Sequence, residues 1–308
     1  MLPSKLLLRE TQMKALPASS LSGTWTSTHC ETRPGPEFIL RRYIFDPSTS
    51  SNASFSVFGV IYHYADPSCS APLQAVTFSG QITSSNSSVL VPGAMSSEFL
   101  LQHAWLRYYM SEVAMKAEKK IEQNCGELGS STEIDYPVYT DGGSQECLEA
   151  LNLSFWELQL FRLEQKREIL KGRKPHQPRL FLGDIHTTPK MRRRYRPTSY
   201  QPDYLSKYST KHHTLHARLV HGSSPDNPPT LVPLPHIPVT HTSLMGTWHS
   251  ANCEVRPHSL FLIRKIIFLH DNMWQASFTF FLDHFCSNPH FSVNVSGRYI
   301  KGKRHLII

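Results

Sequence analysis

Apolar and polar side chains alternate along much of the chain between Leu21 and Thr83. A period of two predicts β-strands that bury one face. Turn signals such as Asp46-Pro47 and Asp66-Pro67 separate the alternating runs. We therefore predict strands over residues 39–45, 55–63, 75–81, 99–107 and 179–186.

The pattern changes to a helical one over residues 109–124, where apolar residues fall on one face and Glu and Lys on the other. Ser111 is suited to the N-cap position of this helix. Residues 151–164 are apolar enough for either a strand or a helix, and their alternation favours a strand.

One segment of the chain occurs twice. Residues 21–45, LSGTWTSTHCETRPGPEFILRRYIF, return without a gap as residues 244–268, LMGTWHSANCEVRPHSLFLIRKIIF. The spacing is far longer than the roughly 20–50 residues of a solenoid repeat, so it predicts a duplicated domain. About 220 residues follow the start of the first copy before the second begins, whereas the second copy has 65, from Leu244 to Ile308.

These patterns predict a mainly β, barrel-like α+β fold with one or two helices, in which the domain is duplicated and the second copy is incomplete. The long proline-rich stretch before the second copy is typical of an extended linker. The predicted order is a poorly ordered leader (1–20), a first barrel-like domain (21–186), a basic and Pro-rich linker (187–241) and a truncated second copy (242–308).

The six cysteines follow the repeat. Cys30 and Cys69 of the first copy recur as Cys253 and Cys286 of the second, which favours a disulfide within each copy. Cys125 and Cys147 would then pair with each other. None of the six forms the closely spaced pair of a zinc knuckle or a thioredoxin-like motif.

Four N-x-S/T sequons are candidates for glycosylation, and with widely spaced cysteines they favour an oxidising, secretory compartment. They lie at Asn52, Asn86, Asn152 and Asn294. The first residues do not have the pattern of a signal peptide, and no stretch approaches the 18 or more apolar residues of a membrane span. We therefore leave the location of this chain open.

Four motifs in this order resemble the adenomatosis polyposis coli down-regulated family: GTWxSxxCExRPGPEF, FLGDIHT, YRPTSYQP and a second GTWxSxxCEVRP. The resemblance covers about residues 20–300. It implies an extracellular, membrane-tethered glycoprotein with two related β-barrel-like domains that antagonises Wnt signalling. The family's signal peptide and hydrophobic anchor are not visible here, so the chain resembles a truncated or alternatively spliced paralogue.

The resemblance also implies a non-enzymatic protein without a cofactor or metal, whose apolar cavity takes the acyl chain of Wnt. The implied partners are Wnt proteins, possible co-receptors of Wnt and the acyl chain itself. A barrel that holds one ligand would line its pocket with inward apolar side chains. The candidates are Trp25, Phe38, Phe58, Phe78, Trp105, Leu153 and Leu158.

Other functions remain open at this stage. The chain carries a net charge of +8, concentrated in residues 190–220, and the basic 190–196 segment is a candidate site for sulfated glycans. Nucleic acid is not expected, since no reader motif is present. A secreted hydrolase is a further alternative, although Asp184 and His186 lack the context of a nucleophile. His212, His213 and His216 lie close together, but no cysteine or carboxylate at ligand spacing supports a metal site.

Overall fold

The computed structural model describes residues 11–48, 53–89, 91, 93–121, 125, 131–132, 134–143, 145–168, 177–209, 214–232, 244–250 and 253–300. The chain divides into two compact units. Unit 1 consists of residues 1–89 and 93–234, and unit 2 of residues 90–92 and 235–308.

Unit 1 is built around one antiparallel sheet. Its strands are β1 (Thr11–Ala15), β2 (Gly23–Ser27), β3 (Glu31–Arg33), β4 (Glu37–Pro47), β5 (Ser54–Tyr64), β6 (Pro72–Ser87), β7 (Met95–Tyr108), β8 (Tyr136–Thr140), β9 (Leu160–Glu168), β10 (Arg179–Leu182) and β11 (Leu205–Lys207).

Eight of these strands close into a barrel, in the order β9-β10-β11-β2-β4-β5-β6-β7. The barrel closes where β7 pairs with β9, through Met95 opposite Phe161 and Ser96 opposite Leu160. Three strands lie outside the ring: β1 beside β9, β8 beside β7 and β3 beside β4. Closure leaves no free edge within the ring, which protects these strands from pairing with other chains.

Side-chain alternation divides the apolar residues between the two faces of the sheet. Tyr43, Phe45 and Phe78 point into the barrel and belong to its large buried core. Their neighbours Leu40, Val60 and Tyr62 belong to a second, smaller core on the outer face.

Among the described residues, three α-helices accompany the barrel: α1 (Ser111–Ile121), α2 (Glu146–Ala150) and α3 (Thr214–His221). The predicted helix over 109–124 is therefore confirmed as α1, although Ser111 is its first residue rather than its N-cap. Residues 151–164 are only partly strand, because a 3-10 helix at Trp156–Gln159 precedes β9.

The predicted leader and the predicted linker both contain regular structure. β1 pairs with β9 along its whole length, and Leu16 continues this pairing with a 2.9 Å bond from its backbone N–H to Leu163 O. In the predicted linker, β11 completes the barrel, and α3 buries Leu219 against the outer face. These contacts need partners distant in sequence, which local composition does not reveal.

The proline-rich stretch of residues 223–232 lies along the outer face as a strap. Its carbonyls accept hydrogen bonds from the sheet: Tyr64 Oη donates to Pro229 O at 2.5 Å, and Tyr109 Oη donates to Pro225 O at 2.7 Å. The backbone N–H of Leu231 donates to Cys69 O at 3.0 Å. Within this stretch Ser224 and Asn227 exchange two backbone hydrogen bonds, of 3.1 and 3.0 Å, so it is not uniformly extended.

Unit 2 contains a second antiparallel sheet, ordered β12-β14-β15-β16 with β13 beside β14. This order repeats that of β2-β4-β5-β6 with β3 beside β4. Its strands are β12 (Gly246–His249), β13 (Glu254–Arg256), β14 (Leu260–Phe268), β15 (Met273–Phe281) and β16 (Pro289–Arg298). The domain boundaries given above, including the incomplete second copy, stay a prediction.

Three disulfides join the pairs that the repeat predicts: Cys30–Cys69, Cys125–Cys147 and Cys253–Cys286. The first links the residue before β3 to the turn between β5 and β6, and the third links the residue before β13 to the turn between β15 and β16. Closing such loops stabilises a fold by restricting its unfolded chain.

Candidate functional site

Aromatic side chains fill much of the barrel interior. The ring of Phe78 lies 5.5 Å from that of Tyr43 and 4.5 Å from that of Phe155, between ring centroids. Phe78 packs directly over Gly59, where a Cβ would lie 2.3 Å from the ring. An eight-stranded barrel is just wide enough for such packing or for one small ligand.

A cavity of about 220 Å³ remains beside this packed interior. Leu106 and Tyr108 of β7 line it from the sheet, and Val113 and Ala117 of α1 line it from the helix. The complete lining in the described residues is Gln74, Leu106, Tyr108, Val113, Lys116, Ala117, Ala150, Leu151, Asn152 and Leu153. Six of these ten side chains are aliphatic and four carry polar groups, so the lining is mixed in character.

Two segments outside the sheet form the remaining walls of this cavity. α1 has an apolar face, with Ala114 buried and Val113 packed on the core, and an exposed face with Glu112 and Lys116. The other wall is the end of α2 and the turn that follows it, residues 150–153. The Cys125–Cys147 disulfide ties the chain after α1 to α2, and so holds both walls over the barrel.

The hydroxyl of Tyr108 is a polar group without a hydrogen-bond partner among the described residues. The side chain is 1% exposed and lines the cavity. Burial, reinforced by the neighbouring Tyr136, raises the pKa of Tyr108 to about 12, so the hydroxyl keeps its proton. A buried donor without an acceptor is costly and rare in native proteins.

The structure brings together four of the seven residues predicted to line an acyl pocket. Trp25, Phe78 and Leu158 are buried in the inner core, and Leu153 packs against that core and lines the cavity. Trp25, Phe78 and Leu158 are not among the residues that border the cavity.

The other three residues do not face the interior. Phe38 belongs to the outer core, Phe58 is 36% exposed, and Trp105 stacks on His103 on the outer face. Their positions follow from alternation: the neighbours of Phe58 and Trp105 point inward, so these side chains point outward. Sequence analysis missed Tyr108 and Val113, although the apolar face of α1 already pointed to Val113.

A buried ionic network lies inside the barrel around Glu157. Its carboxylate accepts hydrogen bonds from Arg33 Nη1 at 2.8 Å, Arg41 Nη1 at 3.3 Å, Tyr43 Oη at 2.7 Å and Gln201 Nε2 at 2.8 Å. Burial raises the pKa of Glu157, but Arg33 and Arg41 outweigh burial and lower it to about 2. Because its acceptors are occupied by protein donors, this network is structural.

A family model described as adenomatosis polyposis coli down-regulated 1 matches residues 4–232 and again residues 237–308. The two matches cover nearly the whole chain. This chain belongs to the adenomatosis polyposis coli down-regulated family. Within its described helices, none has the length and apolar character needed to cross a membrane.

The motif that carries the family resemblance forms the same contacts in both units. In unit 1, Ser27 Oγ donates to Glu31 at 2.5 Å, and Arg41 pairs with the same carboxylate. In unit 2, Ser250 Oγ donates to Glu254 at 2.5 Å, and Arg264 Nε donates to it at 2.7 Å. The motif residues of the family therefore hold strands together.

The basic 190–196 segment is only partly available for a ligand. Arg192 is buried and donates to Glu37 Oε1 at 2.6 Å and to Pro34 O at 2.5 Å. Arg193 Nη1 donates to Gln145 O at 3.1 Å. The remaining cations of the segment, Lys190, Arg194 and Arg196, are exposed.

The candidates for acid–base or metal chemistry have structural contacts. Asp184 accepts hydrogen bonds from Tyr195 Oη at 2.5 Å and from the backbone of Thr198 at 3.0 Å, which fixes a turn. His216 is buried against Thr26. His212 and His213 lie outside the described residues. In the described part of the chain, no cluster of three or more His, Cys, Asp or Glu is arranged to hold a metal ion.

The predicted glycosylation sites differ in their surroundings. Asn152 lines the cavity, and Asn294 is exposed on β16. Asn52 lies outside the described residues, as does the side chain of Asn86. Their glycosylation stays a prediction.

Proposed function

We propose that this protein is an extracellular, non-enzymatic antagonist of Wnt signalling that binds the acyl chain of Wnt in the cavity beneath α1. The observation that carries the proposal is the cavity at the barrel wall, with six aliphatic residues in its lining, in a chain of this family. Three disulfides support an oxidising, extracellular setting. Wnt and its co-receptors are the proposed partners.

The size of the cavity defines how an acyl chain would enter. An engineered apolar cavity of about 150 Å³ binds benzene, and drug-sized ligands occupy about 300–1,000 Å³. At about 220 Å³, the cavity admits a short acyl segment directly. A C14–C16 chain requires further room, which we propose comes from movement of Leu151 and Leu153 in the turn after α2.

The energetics favour such a ligand. Burying a C14–C16 chain contributes roughly 10 kcal/mol before the costs of association, at about 0.8 kcal/mol for each CH₂. The Cys125–Cys147 disulfide keeps α1 near α2, so opening would displace the turn after α2 and leave the barrel intact. Sequestering the acyl chain would withhold Wnt from its receptors.

A cavity-filling variant tests the proposal. The full chain is produced in a secretory host, and native mass spectrometry with hexadecanoate and with an acylated Wnt peptide measures binding. A Wnt reporter assay measures inhibition. Leu153→Trp should abolish acyl binding and weaken inhibition, whereas the control Val232→Trp, at an exposed site, should change neither. A folded wild-type chain without acyl affinity would refute the proposed function.

Glycan binding is the second candidate function, favoured by the exposed cations Lys190, Arg194 and Arg196 on one short segment. Heparin affinity chromatography tests it. Replacing these three residues with Ala should lower the salt concentration needed for elution. Unchanged elution would contradict a glycan site here.

A further inference from the structure

The cavity has a lining of mixed character, and two of its lining residues carry hydrogen-bond donors without an acceptor among the described residues. Tyr108 contributes a buried hydroxyl without an acceptor among the described residues. Lys116 of α1 contributes an exposed ammonium group to the lining. In the part of the chain that the structure describes, no carboxylate lies within ion-pairing distance of Lys116.

The described lining of the cavity carries charge of one sign only, and that sign is positive. The described lining contains the neutral amides of Gln74 and Asn152, but Lys116 is the single side chain in it that is charged at neutral pH. A space with aliphatic walls, one positive charge and a neutral buried donor is complementary to an amphiphile with an anionic, oxygen-rich head.

We propose that the cavity recognises the ionised carboxyl group of an unesterified long-chain fatty acid, with Tyr108 donating a hydrogen bond to one carboxylate oxygen and Lys116 pairing with the charge. This inference rests on the proposed acyl-binding function and adds a second ligand of the same cavity, whose head group is a free carboxylate. It distinguishes a free fatty acid from an acyl ester, which has the same tail and no charge.

The two groups serve different parts of the recognition. The lysine stem is flexible and reaches over the lining to the head group, where its ammonium acts as a point charge. The Tyr108 hydroxyl is fixed by burial, so it sets the position of the carboxylate. Because its pKa is raised, Tyr108 remains a donor and does not become a competing anion at neutral pH.

Paired ligands test the inference. Binding of hexadecanoic acid and of methyl hexadecanoate to the full-length chain is measured at neutral pH by displacement of a fluorescent apolar probe. The acid should bind up to about fivefold more tightly than the ester, as expected of a solvent-accessible ion pair. Lys116→Gln should remove this preference, and the matched control Lys190→Gln, an exposed lysine outside the cavity, should preserve it.

Tyr108→Phe separates a ligand-binding hydroxyl from a merely structural one. Removing an unpaired buried hydroxyl should leave the melting temperature of the ligand-free chain unchanged or raise it. The same variant should raise the Kd for hexadecanoic acid about tenfold, because a hydrogen bond to a charged group is lost. Loss of fold would lower the melting temperature, so it cannot imitate weaker binding at an unchanged or raised melting temperature.

The outcomes distinguish this inference from the proposed function. Equal binding of acid and ester, unaffected by Lys116→Gln, would overturn carboxylate recognition and leave acyl binding in place. A preference for the acid that survives both variants would also overturn it, because the charge would then be recognised elsewhere. Absence of binding for both ligands would overturn both proposals.

Discussion

The hydroxyl of Tyr43 donates a 2.7 Å hydrogen bond to the carboxylate of Glu157, which lies 114 residues further along the chain. Tyr43 is in β4, and Glu157 is in the 3-10 helix that leads into β9. Both residues are buried. The bond therefore joins the early strands of the barrel to the segment that closes it.

Glu157→Ala should destabilise the protein by about 3–5 kcal/mol, because the buried charges of Arg33 and Arg41 lose a partner. Denaturant unfolding measures this change. Glu98→Ala, at an exposed site on β7, is the control and should stay within about 0.5 kcal/mol of the wild type. Equal effects of the two substitutions would contradict a stabilising role for the network.

Low pH should lower the stability of the folded chain, because Glu157 becomes protonated. The pKa of this carboxyl is lowered from 4.5 to about 2 in the folded chain, so its stabilising contribution is complete above pH 4.5 and is lost as the pH falls towards 2. The melting temperature of the wild type should fall across this window more steeply than that of Glu157→Gln. Parallel curves for the two proteins would show that Glu157 does not contribute.

Arg192→Ala should cost about 2–3 kcal/mol of folding free energy, since it removes a buried cation from Glu37 and from Pro34 O. Thermal unfolding is the measurement. The exposed Arg194 is the matched control, and Arg194→Ala should leave the melting temperature unchanged. If both variants melt like the wild type, the 190–196 segment is not part of the fold.

Leu219→Ala should destabilise unit 1 by about 2–5 kcal/mol, because Leu219 is fully buried in the outer core. The result is measured by denaturant unfolding and by the rate of proteolysis within residues 214–232. Val232→Ala, at a position that is 82% exposed, should be nearly neutral. A neutral Leu219→Ala would favour the linker that the composition predicts.

The row of apolar side chains along β16 should bind apolar dyes. Phe291, Val293 and Val295 share one face and are 48%, 42% and 38% exposed. Phe291→Ser with Val293→Thr should lower anilinonaphthalene sulfonate fluorescence. The control is Ser292→Ala, between Phe291 and Val293 on the alternate face of the strand, and it should leave the fluorescence unchanged.

Local sequence pattern predicts only local structure: the alternation in residues 39–45 and 55–63 predicts β4 and β5, and amphipathicity predicts α1. Recurrence of Cys30 and Cys69 as Cys253 and Cys286 predicts the disulfides. These features depend on neighbouring residues or on repetition, both of which are visible in one sequence.

The residues that line the cavity could not be predicted from local sequence pattern in the same way. Aromatic character alone placed Phe58 and Trp105 in the lining, whereas strand register turns both side chains outward. Tyr108 gave no signal in the sequence, because it falls between the predicted strand over 99–107 and the predicted helix over 109–124. Its importance arises because its hydroxyl is buried beside α1 without an acceptor among the described residues.

The sequence by itself determined the β-rich fold class, the repeated motif, the disulfide pairs and the family resemblance, because periodicity and motif spacing are properties of the linear chain. Only the tertiary structure decided that β7 meets β9, that residues 223–232 pack on the outer face and that Tyr108 and Lys116 border one cavity. These contacts join residues far apart in sequence, and their free energy depends on burial and register, which are defined only once the barrel has closed.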